Sequence, residues 1–374
     1  MKNWDFYRLL LHFAPKQGKG PAQAPEETLR VFRARRCVGA ALCLFDGRGV
    51  RETYTFGCAH EPDDPVRADT AFRAASVSKF VTALGILKLK EQGRLSLEED
   101  VNRYLPFPLR HPAAPDTPIT LRMLMTHTAG IHDGVAYSRG IARGADLAGI
   151  LEGDSFTAHL PGAVWEYSNL GAGIAGAVME AAAGQDFESL MQETVFRPLG
   201  VAATYYPQKV RGDLADAVRI LPRSRQPGFS AAQRRARPLP PEEVNAQRHY
   251  SLAHGSLCVS APELAKLGMA AMAPGFLTEE TLRDMRTAAV PFGERARNLS
   301  QGLFTFILHE PKISSRLIYG HQGMAYGAVH GLFFDPETGR GMAVLTTGAS
   351  EARRGVLADL NFDLLRLYVG DRHG

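Results

Sequence analysis

Ser76 and Lys79 are the residues of this chain best suited to covalent chemistry, a hydroxyl and an amine three positions apart in Ser76-Val77-Ser78-Lys79. They open an apolar stretch carrying Val77, Phe80, Val81, Leu84 and Leu87, whose spacing predicts a helix over residues 76–92. A spacing of three puts hydroxyl and amine on one helix face. A lysine in the first turn opposes the helix dipole, and an apolar neighbourhood disfavours its charge. Both effects lower its pKa toward that of a usable base. Backbone N–H groups at the same helix start suit an oxyanion, whereas Ser78 points elsewhere. The alternative for the tetrapeptide alone is an N-capping serine and a snorkelling lysine.

Two further elements add matching groups. Tyr167 and Asn169, two apart just before an expected helix, project the same way from an extended or turn backbone. They offer a phenol for proton transfer and an amide that both donates and accepts; the plainer reading is packing plus a helix cap. Gly320-His321-Gln322-Gly323 falls between expected strands. Its glycines let a substrate approach the strand backbone, and the N–H of Met324 is placed to complete an oxyanion hole. A lone His there would otherwise be structural.

Competing chemistries find less support. Gly171-Ala172-Gly173-Ile174-Ala175-Gly176 matches G-x-G-x-x-G with Glu193 further on, but no apolar parallel strand precedes it, so these glycines are read as allowing close helix packing. His127 and His132 with Asp133 have a spacing that fits neither one helix face nor a common zinc motif, and are read as structural. No metal or organic cofactor is expected. The G-x-S-x-G elbow of the other large serine-hydrolase fold is absent from the sequence.

The elements that must hold these groups lie at both ends of a chain of 374 residues. Cys37 to Asp46 and Arg51 to Cys58 are β-prone runs around a Gly-Arg-Gly turn, predicting an opening hairpin. Strands are expected at 303–308, 317–320, 328–334 and 342–347, then a helix over 351–368. The last strands are apolar on both faces, which calls for helices on both sides of the sheet. Between them, 69–286 reads mostly as helices and loops, including helices at 121–125, 170–183 and 187–196. The expected architecture is thus α/β (α+β), with an antiparallel sheet built from both chain ends and an inserted, mainly helical lobe. Residues 1–33 are expected as an N-terminal helix and linker and 34–374 as the main domain, with its sheet part at 34–68 and 287–374. Pro207 to Pro241 is expected as a long irregular stretch, with the Arg-rich Pro222 to Arg237 as a solvated loop.

Composition narrows the classes. Hydrophobic residues make up 45% and charged residues 22%, an ordinary globular balance that argues against wholesale disorder. A net charge of +4 without a basic stripe argues against nucleic-acid binding. No apolar run is long enough for a spanning helix. Trp4 to Phe13 is interrupted by Asp5, Arg8 and His12, so it reads as an amphipathic docking helix with at most weak membrane-surface contact rather than an export signal. Cys37, Cys43, Cys58 and Cys258 sit in apolar stretches and are expected as reduced thiols, which makes a cytoplasmic location the default.

Taken in order, S-x-x-K at Ser76 and Lys79, Y-x-N at Tyr167 and Asn169, and a K/H-x-G strand at His321 and Gly323 resemble the serine β-lactamase-like hydrolases, particularly the class C β-lactamase and D,D-peptidase branch. Ile119 to Gly130, Pro161-Gly162 and His254-Gly255-Ser256-Leu257 also look like this family, and the likeness spans about Ala34 to Thr347. The resemblance implies the β-lactamase/D,D-peptidase fold and an acyl-enzyme. In it Ser76 is the nucleophile, Lys79 and Tyr167 move its proton and Asn169 orients lysine and substrate. The N–H groups of Ser76 and Met324 hold the oxyanion, and His321 tunes the electrostatics beside Gln322 and Gly323. Where lactamases of this branch carry Lys-Thr-Gly, this chain has His321-Gln322-Gly323, with no central hydroxyl and only a titratable cation first. A carboxylate-bearing β-lactam loses a donor there. The expected substrate is a small molecule or short peptide, first a D-amino-acid-containing peptide. A simple ester or weak β-lactamase activity is the alternative, and a catalytically silent scaffold the reading of another class.

Overall fold

The computed structural model describes residues 24–60, 64–221, 224–291 and 298–371. Among these, the main sheet has nine strands, all paired antiparallel: β1 (Gly39–Asp46), β2 (Gly49–His60), β3 (Asp64–Pro65), β4 (Val290–Pro291), β5 (Leu299–Gln301), β6 (Phe306–Leu308), β7 (Ile318–Ala325), β8 (Ala328–Asp335) and β9 (Arg340–Thr347). Their order is β3-β2-β1-β9-β8-β7-β6-β5-β4. The two ends of the chain meet at the β1–β9 pair, where Ala41 lies opposite Leu345.

Apolar side chains on both sides of these strands follow from two separate cores. Ala41, Cys43 and Phe45 of β1, Leu332 and Phe334 of β8 and Leu345 of β9 face the inserted helices. The alternate residues Ala40, Leu42, Val329, Phe333 and Val344 face the chain termini, because successive strand side chains point to opposite faces. The terminal layer is α1 (Glu26–Ala34), which contributes Phe32, and the C-terminal α6 (Asp359–Tyr368), with Leu360, Leu364 and Leu365.

On the other face, α2 (Val77–Glu91) and α5 (Ala261–Met272) pack on the sheet, and α3 (Asn169–Ala183) and α4 (Tyr250–Gly255) pack on α2. Helix α2 is buried from Val77 through Leu87, so its sequence is apolar all round. The Gly-x-Gly-x-x-Gly run lies inside α3. A Cβ on Gly176 would sit 2.4 Å from Ala253 Cβ, and one on Gly173 3.0 Å from Tyr250 O, so the glycines serve the α3–α4 packing.

Several boundaries differ from expectation. The stretch expected as linker holds α1, while the Trp4 to Phe13 segment lies outside the described residues. The C-terminal helix starts at Asp359; before it, Arg353–Arg354 pairs with Leu357–Ala358. Strand β7 runs through to Ala325 instead of ending at Gly320. The segment expected as irregular forms a hairpin, Ala217–Ile220 with Arg225–Phe229, followed by a short helix, Ala231–Arg235. No described helix is long and apolar enough to cross a membrane.

Candidate active site

Ser76 stands at the start of α2, just after Ala75, a non-glycine residue with φ of 48°. Such left-handed backbone is costly and persists only where its surroundings enforce it. Here Ser78 does so: its hydroxyl donates to Ala75 O at 2.6 Å and accepts from Leu257 N at 3.1 Å, while Ala74 N donates to Leu257 O at 2.7 Å. The second serine of the motif therefore buttresses the turn that presents the first.

Lys79 is fully buried. Its Nζ lies 3.2 Å from Ser76 Oγ, 2.6 Å from Asn169 Oδ1 and 2.9 Å from His254 O. Burial lowers its pKa from 10.5 to about 7; Asp133 opposes that shift and Arg73 adds to it. Asn169 is fixed in turn by Asp133, which accepts from Asn169 Nδ2 at 2.7 Å, Asn169 N at 3.1 Å and Leu170 N at 2.9 Å. The two backbone donors are the first N–H groups of α3, where a carboxylate is favoured. Asp133 also accepts from Ser168 Oγ at 3.1 Å.

Tyr167 stands beside Ser76, and Lys79 Nζ lies 4.9 Å from its ring centroid. Burial pushes its phenol well above the usual pKa, with the Ser76 hydroxyl opposing the shift. The His127 ring packs on it at 4.6 Å, accepts from Ser168 N at 3.2 Å through Nδ1, and its carbonyl accepts from Glu166 N at 2.8 Å. The residue read as structural thus sets the segment that carries Tyr167.

Strand β7 closes the cleft. A Cβ on Gly323 would lie 2.4 Å from Ala74 O and 3.1 Å from Ser76 N, so only glycine lets the strand come this close to the nucleophile. Its neighbour β6 pairs only as far as Gly320, leaving the β7 edge beyond it without a strand partner there among the described residues. The Met324 side chain packs against the terminal core, so only its backbone is available to the site.

Two expectations for this strand need correction. His321 is not a cation. Its ring is 1% exposed and burial pulls its pKa down to about 3, helped by Lys79. Gln322 is turned to the opposite face, where its Nε2 donates to Val356 O at 2.6 Å and its Oε1 accepts from Ala358 N at 2.9 Å. The strand's two-residue alternation sends it away from Ser76.

Ser76, Lys79, Tyr167, Asn169 and Gly323 are thus brought together, with the His321 ring 6.4 Å from that of Tyr167. Asp133 and the His254 carbonyl are the additions; the sequence offered Asp133 only as a neighbour of His132. Elsewhere His60, Asp64 and Asp213 bring ligand-type atoms within 4.8 Å of one another, and Arg67 pairs with both carboxylates as their counter-charge.

A family model for Beta-lactamase matches residues 25–366. The chain belongs to this family. It is a serine hydrolase of the β-lactamase and penicillin-binding-protein fold. Among its relatives in the family, esterase EstB of Burkholderia gladioli is 30% identical over 88% of this chain and 90% of its own length. The D-alanyl-D-alanine-carboxypeptidase/endopeptidase AmpH of Escherichia coli K12 is 32% identical over 47% of each chain. In structure, the hydrolase EstCE1 superposes with a TM-score of 0.75 at 24% identity, covering 91% of this chain and 97% of that one.

Proposed function

We propose that this protein hydrolyses carboxylic esters through an acyl-enzyme on Ser76, with Lys79 as the base. The observation that carries the reading is the set of acceptors around Lys79 Nζ. Carbonyl oxygens can only accept, so Asn169 Oδ1 and His254 O hold two N–H bonds of the amine. In the neutral amine the remaining direction, toward Ser76 Oγ 3.2 Å away, is the lone pair. A pKa of about 7 keeps much of the amine neutral near physiological pH.

In the proposed cycle Ser76 Oγ attacks the substrate carbonyl as its proton passes to Lys79 Nζ. The N–H groups of Ser76 and Met324 hold the oxyanion, for which Gly323 brings β7 alongside the helix start. Tyr167 stays protonated because burial raises its pKa, so its phenol donates to the leaving oxygen and is recharged from Lys79. Water then attacks the acyl group by the reverse route. The ester as substrate is supported by the EstB likeness, which spans nearly all of both chains. A second reading, cleavage of a D-amino-acid peptide, is favoured by the shorter likeness to AmpH.

Mass spectrometry after treatment with a neutral fluorophosphonate is expected to show one adduct, on Ser76, and none on Ser76→Ala. That variant is expected to lose at least ~10³-fold in kcat/KM on p-nitrophenyl butyrate. A wild-type protein that binds ligand without being labelled would instead be a scaffold.

A further inference from the structure

Three residues before Ser76, Arg73 carries a cation that the acyl-enzyme chemistry does not use. Its side chain is mostly buried, and burial lowers its pKa. Among the described residues no carboxylate lies within ion-pair distance of the guanidinium and no acceptor takes its N–H groups. Only its face is covered, with Cζ 5.1 Å from the Tyr326 ring centroid. A cation withdrawn from water without a counter-charge is costly, and its fork of donors is left open.

His330 supplies a second open donor. It lies opposite Gly323 across the β7–β8 pair, and opposed residues of antiparallel strands share a face of the sheet. On that face Gly323 meets Ala74 O and Ser76 N, so the His330 ring stands on the side of the segment that carries Arg73. The ring is buried, and burial pulls its pKa down to about 3, with Arg73 adding to the shift, so it is neutral. Its Nδ1 accepts from Thr346 N at 3.2 Å; a backbone N–H only donates, so the one ring hydrogen is on Nε2. The Arg73 carbonyl is near enough to oppose the shift, yet Nε2 makes no hydrogen bond among the described residues.

Arg73 and His330 line one cavity of about 10 Å³, bounded also by Tyr326, Phe229 and Asp216. That is room for a single water-sized occupant. Asp216 opposes an anion here, but it is already matched: its Oδ1 accepts from Ala231 N at 2.7 Å and its Oδ2 from His60 Nδ1 at 3.0 Å. Since His60 Nε2 also meets Asp213 at 2.9 Å, both ring nitrogens donate and the imidazolium answers the Asp216 charge. A water would satisfy His330 and leave the guanidinium uncompensated, whereas a monovalent anion does both.

We propose that the cavity between Arg73 and His330 binds a monatomic anion of the chloride type, with the guanidinium and the Nε2–H as its donors. The site is separate from the acyl-enzyme chemistry, which does not require it. It shares the electrostatics of the cleft: Arg73 helps hold the Lys79 pKa down, so an anion on Arg73 moves the pH profile of Ser76 labelling upward.

Crystals soaked in bromide are expected to show one anomalous peak in this cavity. In solution, replacing potassium gluconate by potassium chloride at constant ionic strength is expected to raise the thermal unfolding midpoint by ~2 °C and to saturate as one site does. Chloride should also shift the labelling profile to higher pH. Arg73→Met, which lacks the cation, is expected to lose both responses. A cavity holding only water in the bromide crystals overturns the proposal. So does a peak confined to molar bromide with no chloride response in solution, which is an adventitious ion only. Both overturning results are read on the wild-type protein and do not depend on the variant folding.

Discussion

Burial sets the lowered pKa of Lys79, and two opposing neighbours each give a lever on the pH profile. Below pH 7 the amine is protonated and has no lone pair for Ser76, so fluorophosphonate labelling should rise with pH through about 7. Asp133 holds the pKa up and Arg73 holds it down. The labelling profile of Asp133→Asn is therefore expected to shift to lower pH and that of Arg73→Met to higher pH; shifts of the opposite sign would remove Lys79 as the base. The same depression means the unfolded chain binds one more proton than the fold between about pH 7 and 10.5. Lys79 thus favours the folded state more as pH rises through that window. The pairing of Ser76 with Lys79 was legible because it lies within one helical turn. Asp133 was not, since its partner is α3, brought to it only by the fold. Nor was the neutrality of His321, which depends on its burial and on the nearby Lys79.

At the scale of elements, the approach of β7 to the start of α2 is the contact on which the cleft depends. Gly323→Ala would place a methyl 2.4 Å from Ala74 O, with backbone on both sides. The strand must then retreat from the positions expected to hold the oxyanion. Esterase kcat is expected to fall by ~10²-fold or more, the scale of one lost oxyanion donor, while circular dichroism stays native. An unchanged kcat would show that β7 does not serve the oxyanion. The sequence suggested ending this strand at Gly320, because glycine is depleted in strands. The strand continues because its glycines face close backbone: Leu332 O at Gly320 and Ala74 O at Gly323. The opening hairpin was legible from β-prone runs around a Gly-Arg-Gly turn, and β8 from a short run apolar on both faces. The hairpin at 217–229 was hidden by Arg225, Gln226 and Pro227, none of them strand-formers.

Over the whole molecule, the terminal layer is clamped by charge as well as by packing. Arg35, just after α1, reaches Asp359 at 2.9 Å and Asp363 at 2.6 Å on α6, and Thr28 bonds Tyr368. These ionic groups are largely but not wholly buried, so Arg35→Ala should cost ~2 kcal/mol in urea unfolding, between exposed and fully buried pairs. Labelling of Ser76 should persist, since α1 lies on the far face of the sheet. Loss of labelling without loss of stability would mean that the terminal layer reaches the cleft. That helices cover both faces was legible from strands apolar on both sides, whereas α1 was not, because its first half is mostly charged or polar. The pairing of Ala41 with Leu345 has a further consequence during synthesis. Ser76 and Lys79 leave the ribosome long before β7 and β9 exist to complete their surroundings. Labelling of Ser76 should therefore require that β7 and β9 have been translated, and chains arrested before residue 318 should not be labelled.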